Sequence, residues 1–271
     1  MTVEVVELDD AREALERARP LLIARPVEHN LLLTILDQSI EHSLDGSFWL
    51  VVDGTGVIGF ALESPRGWGA VLAVMPVHAS RLRAENSNRP LPRVVGEAGT
   101  AAAFAGRWTE TQSTSVTVID GQRLYELTQL RPVGSARGSL RLATAGDRAT
   151  LIEWAAAFVE ELELGLEDAE TLVDLRLAGD RFWVWDDDGA VSMVSASDPA
   201  AGVVRVQYVY TPPARRGSGY ATACVEQVSR LLSERGLRCV LFTDLGNATS
   251  NAIYRRIGYE AVMEVLGYGF A

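Results

Sequence analysis

The sequence predicts an α/β protein made of two tandem copies of one fold, each a mixed sheet flanked by helices, with the first copy degenerate. Three observations carry this. The stretch Phe48-Trp49-Leu50-Val51-Val52-Asp53-Gly54, followed by Val57, returns half a chain later as Phe182-Trp183-Val184-Trp185-Asp186-Asp187-Asp188, followed by Val191. Each reads as two apolar strands around an acidic, glycine-bearing turn, the pattern of a hairpin. Through the second half the apolar period switches between strand and helix values, with glycine or proline at the switches. A length of 271 residues also suits two domains of ordinary size.

The second copy reads in order. A short strand is expected over 140–143, and Asp147 is read as the N-cap of a helix in which Leu151, Ile152, Trp154, Ala155, Phe158, Val159 and Leu162 recur at helical spacing. A second helix over 168–177 ends at Gly179, and the hairpin follows over 182–195. The strand 203–210 stops at Pro212-Pro213, because a proline pair cannot continue a ladder. A helix over 220–235 lines up Ala221, Cys224, Val225, Val228, Leu231 and Leu232 on one stripe and ends at Gly236. A strand over 239–243, a helix over 248–257 with Gly258 behind it, and a closing strand over 261–266 complete the copy.

The first copy starts alike, with a strand over 3–8, helical segments from 11 to about 43, the hairpin, and a strand over 70–75. It then departs: no glycine occurs between Pro76 and Gly96, so a glycine loop leading into a helix is missing. Residues 86–107 are rich in Asn, Pro, Ala and Gly, and the Arg-, Pro-, Gly- and Ser-rich stretch after 130 reads as a linker. The expected organisation is a degenerate domain over 1–130, a linker over 131–138 and a complete domain over 139–271.

Composition narrows the chemistry. All 25 basic residues are arginine, which removes lysine Schiff bases, pyridoxal chemistry, the Walker P-loop and the kinase lysine together. A net charge of −11 disfavours nucleic-acid and anionic-membrane partners. The N-terminal residues carry neither a basic nor an apolar leader segment, and no apolar run is long enough to span a bilayer, so a cytoplasmic protein is expected. Cys224 and Cys239 read as reduced, buried small hydrophobes. His29, His42 and His78 show no metal-ligand spacing, so no metal is expected.

The informative stretch is Thr211-Pro212-Pro213-Ala214-Arg215-Arg216-Gly217-Ser218-Gly219-Tyr220-Ala221-Thr222, between a strand end and an amphipathic helix. Gly217 and Gly219 permit positive φ, so successive N–H groups can face one concavity at the positive end of the helix dipole. Such a nest suits a pyrophosphate, with Arg215 and Arg216 beside it and Ala221 keeping the first turn thin. A plain flexible turn is the bland alternative. A nicotinamide-binding turn is the rival, with Asp244 as ribose ligand. Thr222 at the third small position, the Pro-Pro-Ala-Arg-Arg insert and the short chain beyond Asp244 count against it.

Arg216-Gly217-Ser218-Gly219-Tyr220-Ala221 resembles the R/Q-x-x-G-x-G/A signature of the GCN5-related N-acetyltransferases (GNAT). The stretch from Asn247-Ala248-Thr249-Ser250-Asn251 through Tyr254 to Gly258-Tyr259 resembles that superfamily's later Asn, Tyr and Gly-aromatic motif. With Tyr208-Val209-Tyr210-Thr211-Pro212-Pro213, the second half is similar to predicted acetyltransferases with an FR47-like C-terminal domain. The resemblance covers 139–271 strongly and the first half only by its strand pattern. It implies two tandem GNAT-like domains, each a mostly antiparallel mixed sheet with flanking helices.

It also implies acetyl-CoA as co-substrate and transfer of acetyl to a primary amine of a small molecule or amino acid. The strand around Val209, Tyr210 and Thr211 would pair with the pantetheine arm, and Arg216, Gly217, Ser218, Gly219, Tyr220, Ala221 and Thr222 would hold the pyrophosphate. Asn247 or Asn251 would contact the arm, and Tyr254 would be the general acid toward the thiolate, against its bland reading as a core tyrosine. No base is evident: Glu160, Glu161, Glu163 and Glu167 border the expected acceptor cleft, Gln207 stands where some relatives hold a glutamate, and a water chain stays open. The first copy, lacking both motifs, is expected to act as a wall of the acceptor pocket. A glycine N-acyltransferase-like activity on amino acids and a non-catalytic coenzyme A-binding module are the alternatives. Acceptor identity and the choice between monomer and homodimer are not encoded legibly.

Overall fold

The computed structural model describes residues 3–63, 69–86, 89–134, 136–161 and 168–271. Their contacts divide the chain into two compact units, the first made of 1–125, 242–247 and 261–271, the second of 126–241 and 248–260. The sequence reading keeps 139–271 together; by contacts, two short stretches of it cluster with the first unit.

In the first unit, β1 (Glu4–Leu8) leads into α1 (Ala11–Ala24) and α2 (Asn30–Glu41). Asp10 caps α1 by accepting from the N–H groups of Arg12 and Glu13 at 2.7 and 2.8 Å. The helix buries Ala14, Ala18 and Leu22, spaced by four along one stripe. The hairpin of β2 (Ser47–Asp53) and β3 (Gly56–Glu63) follows, then β4 (Ala70–Leu72), shorter than the expected 70–75. Beyond it come α3 (Val77–Glu85), β5 (Arg93–Glu97), α4 (Ala98–Gln112) and β6 (Val116–Leu127). The closing strand of the chain, β12 (Tyr259–Phe270), pairs antiparallel with β5 over 265–269. That pairing explains why 261–271 clusters with this unit.

The second unit starts with β7 (Ser139–Leu142) and a capped turn into α5 (Arg148–Glu161). Thr144 is the N-cap of the single turn Ala145–Asp147 that leads into α5, and Asp147, directly before α5, is the reciprocal partner of its capping box, the carboxylate accepting from Thr144 N–H at 2.8 Å. Arg141 donates two bonds to the same carboxylate, both at 2.8 Å, and holds it well below the ordinary range at about 2. Then follow α6 (Ala169–Ala178), the hairpin β8 (Phe182–Asp186) and β9 (Ala190–Ala196), β10 (Val203–Tyr210), α7 (Tyr220–Glu234), β11 (Arg238–Asp244) and α8 (Ala248–Ile257). Strand order is β11-β10-β9-β8-β7, antiparallel except where β10 meets β11. One core lies between this sheet and α5 and α6, built from Leu151, Trp154, Leu172, Val173, Phe182, Val184 and Met193. Gly258 turns the chain from α8 into β12 at φ +110, where a Cβ would overlap the carbonyl oxygen of Gln129. Cys224 and Cys239 are free and buried.

His29 joins the elements of the first unit from inside. Val74 N–H donates to its Nε2 at 3.1 Å, so the proton sits on Nδ1 and is donated to Leu22 O at 3.1 Å. Burial holds its pKa below 6.5. Because the folded value lies under the unfolded one, this contribution to stability is complete above pH 6.5 and is lost as pH falls through the folded value. Thermal unfolding across pH 8 to 5 is expected to show a loss of stability that is smaller in His29→Gln, whatever that variant's absolute stability.

Candidate functional site

Parallel pairing of β10 with β11 is confined to Val203, Val204 and Arg205 against Arg238, Cys239 and Val240. From Val206 to Tyr210 the registered partner of β10 is β9. Gln207 faces Ser195 and Tyr210 faces Met193, so β10 carries one extra residue there, and Tyr208 takes φ +51, a left-handed conformation that favours glycine. The strand thus forks from β11 after Arg205, and a bulge follows the fork at once. Val209 and Tyr210 lie on this forked arm. Thr211 ends it, its hydroxyl 2.9 Å from Ser192 Oγ.

Beyond the arm the chain makes a single short turn over Pro213–Arg215 and enters α7. Gly217 and Gly219 sit at φ +82 and +80, and the space around each is open enough that a Cβ would meet no atom within 4 Å. Backbone conformation, not packing, therefore requires glycine at both positions. Gly219 caps α7 without any side-chain acceptor. The N–H groups of Tyr220, Ala221 and Thr222 consequently keep their donor capacity at the positive helix end. Ser218 lies between the glycines in the same turn. The residues present fit a diphosphate here: a helix N-terminus with no side-chain cap, open space around the two glycines, and an adjacent forked strand edge.

Side chains in the stretch behave less uniformly than the sequence suggests. Arg216 folds back across the strand end, donating from Nε to Thr211 O at 2.9 Å and from Nη2 to both Glu161 oxygens at 2.7 and 2.9 Å, with its guanidinium 5.6 Å from the Tyr210 ring. Its role in this structure is to brace the turn against α5. Tyr220 is buried and donates to Asp187 Oδ2 at 2.6 Å, which ties the first residue of α7 to the hairpin. Neither pairing is marked by sequence, since the partners lie far apart along the chain. Glu160 is exposed on α5, Glu161 is engaged with Arg216, and Glu163 and Glu167 lie outside the described residues.

On α8, Asn251 and Tyr254 occupy the buried face. Tyr254 packs edge-on against Tyr259, ring centroids 6.1 Å apart, and hydrogen-bonds with Ser250 one turn earlier. Burial pushes its phenol up to about 12. The stretch 242–247, which holds Asn247, clusters with the first unit, and Asn247 N–H donates to Asp244 O at 3.2 Å. Asp244 in turn accepts from Gly246 N–H at 2.6 Å, a tight local turn.

The first unit has the same strand-to-helix crossing without these features. Its β4 is parallel to β5, but the short connection 73–76 enters α3 through Pro76, with no glycine, and the strand-end amide of Val74 is taken by His29. No group of His, Cys, Asp and Glu among the described residues is placed to hold a metal ion. No helix among them is long and apolar enough to cross a membrane.

Residues 148–259 match the family model described as the acetyltransferase (GNAT) family. Comparison with curated proteins gives no match. Among solved structures, an acetyltransferase of the GNAT family from Colwellia psychrerythraea aligns over 100% of both chains at 11% identity and a TM-score of 0.65. A GCN5-related N-acetyltransferase from Sphaerobacter thermophilus covers 97% of this chain and 94% of its own at 15% identity and a TM-score of 0.62. A tandem GNAT protein from the clavulanic acid biosynthesis pathway covers 100% and 98% at 15% identity and a TM-score of 0.52. The fold is that of two tandem GNAT-like domains.

Replacing Gly219 by valine places a β-branched residue at φ +80. The expected outcome is a destabilisation of about 1–2 kcal/mol with a tenfold or greater loss of coenzyme A affinity, read by thermal unfolding and titration calorimetry.

Proposed function

We propose that the second unit is an acetyl-CoA-dependent N-acetyltransferase acting on the primary amine of a small molecule or amino acid. The observation that carries this reading is the adjacency of the β10 fork to the left-handed Gly217–Gly219 turn. A strand edge released from its neighbour offers main-chain groups to an amide-bearing arm, and the amides behind it face an anion. The same reading has the protein acting in the cytoplasm on small molecules, with neither nucleic acid nor membrane as partner.

When bound, the thioester supplies the acyl carbon that the amine attacks and a thiolate that leaves. Within the chain, Val209, Tyr210 and Thr211 would orient the arm through their backbone, and the amides of 217–222 would hold the diphosphate. Arg216 would keep that turn in place through Thr211 O and Glu161. Asn251 would contact the arm. Tyr254 would hold a proton toward the sulfur. With its phenol at about 12 against a thiol near 8.5, full proton transfer is uphill by about 5 kcal/mol. Tyr254 therefore serves as a hydrogen-bond donor that stabilises developing thiolate charge, and stays protonated through the working pH range.

The test is thiol release from acetyl-CoA across a panel of amines. Tyr254→Phe is expected to lower kcat about 10- to 1000-fold while leaving coenzyme A affinity within twofold, since the hydroxyl acts in the transition state alone. A panel in which no amine releases coenzyme A would count against the enzyme and favour a binding module.

A further inference from the structure

We propose that Gln207 selects the acceptor, requiring a carbonyl or carboxylate oxygen on the carbon next to the reacting amine, so that the substrates are α-amino acids or their amides and not simple alkylamines. The inference rests on the acetyltransferase reading and deepens it.

The first step is direction of approach. The sheet of the second unit has two faces. Helix α7 packs on one, against β8, β9 and β10, with α8 beside it. That side holds the glycine nest at the start of α7 and Tyr254 on α8. A donor seated along the forked arm, with its diphosphate at α7 and its sulfur toward Tyr254, leaves the opposite face for the amine. That face is the one covered by α5 and α6.

Gln207 points to it. Cross-strand partners share a face. Gln207 pairs with Ser195, Ser195 pairs with Phe182, and Phe182 belongs to the core formed with Leu151 and Trp154 of α5 and Leu172 and Val173 of α6. Its sequence position is two residues past the last β10–β11 pair, inside the bulge. Tyr208, next in the chain, meets Phe158 of α5 at 5.3 Å between centroids and has the Arg176 guanidinium of α6 4.8 Å over its ring.

The amide of Gln207 is half used. Arg205 Nε donates to Oε1 at 3.2 Å, and because arginine only donates, the carbonyl must face Arg205 and the NH2 the other way. That Nε2 is buried and has no acceptor among the described residues. A buried donor left unmatched costs free energy in the isolated protein, and a ligand oxygen that meets it recovers that cost. A site built in this way discriminates strongly against an analogue that lacks the matching group. The oxygen must lie close to the nucleophilic nitrogen, because Gln207 stands at the fork itself. A carbonyl or carboxylate on the α-carbon meets both conditions, and Nε2–H is a donor to either.

The test compares matched pairs, L-phenylalanine with phenethylamine and L-leucine with 3-methylbutylamine, titrated calorimetrically into the full chain saturated with coenzyme A. The wild type is expected to bind each amino acid about tenfold or more tightly than its decarboxylated partner. Gln207→Glu keeps an acceptor for Arg205, so the fold is retained, but replaces the free donor with an oxygen. It should bring the ratio to one or invert it, and Gln207→Leu should also bring it to one. Equal affinities in the wild type, or a ratio unchanged in Gln207→Glu, overturn the assignment of Gln207 while leaving the transferase in place. Failure of coenzyme A to raise the melting temperature at all contradicts the transferase reading, and the inference falls with it.

Discussion

Parallel strands hold each other through evenly spaced main-chain bonds, so a strand that leaves its neighbour partway must find other partners for the groups it exposes. In the second unit β10 does this after Arg205. The bulge at Tyr208 bends the arm while β9 keeps its other edge paired through Tyr210. The released edge then runs into a turn with Gly217 and Gly219 at φ +82 and +80. The proposed coenzyme site and the placement of Gln207 both depend on that separation. Were β10 paired with β11 to its end, the glycine turn would be an ordinary loop.

The first unit shows the same plan with its unsatisfied groups used internally. His29 takes the amide of Val74, Thr100 Oγ1 donates to Met75 O at 3.4 Å, and Arg83 is fully buried between Trp49, 3.7 Å from its guanidinium, and the carboxylate of Glu63 at 2.8 Å. Its desolvation pulls the guanidinium down to about 10, and the Glu63 carboxylate opposes that shift. These contacts leave the crossing of the first unit self-contained.

Much of this was legible in the chain because the signals were local. The strand 203–210 and the helix 248–257 are observed with those bounds, since proline and glycine mark their ends. The hairpins stand where the two Phe-Trp stretches place them. Other elements were hidden. Helix α4 carries Gly99 and Gly106 and is capped by Glu97, which accepts from Gly99 and Thr100 N–H at 2.9 and 2.8 Å, a side chain seldom read as a cap. Strand β12 continues to Phe270 through Gly267 and Gly269, residues that read as strand breakers. Here they are needed where Asp120 and Ile119 come close. The bulge at Tyr208 has no glycine to announce it, and the Arg216–Glu161 and Tyr220–Asp187 bonds join residues too distant for any pattern to connect.

The central claim is that the forked arm and the glycine turn form one coenzyme site. Amide chemical shifts followed by nuclear magnetic resonance during a coenzyme A titration test it most directly. The account predicts saturable changes concentrated in 206–211 and 217–222, with 73–79 of the first unit unmoved. Saturation with the changes confined to the first unit, or no saturable change in 217–222, would contradict it.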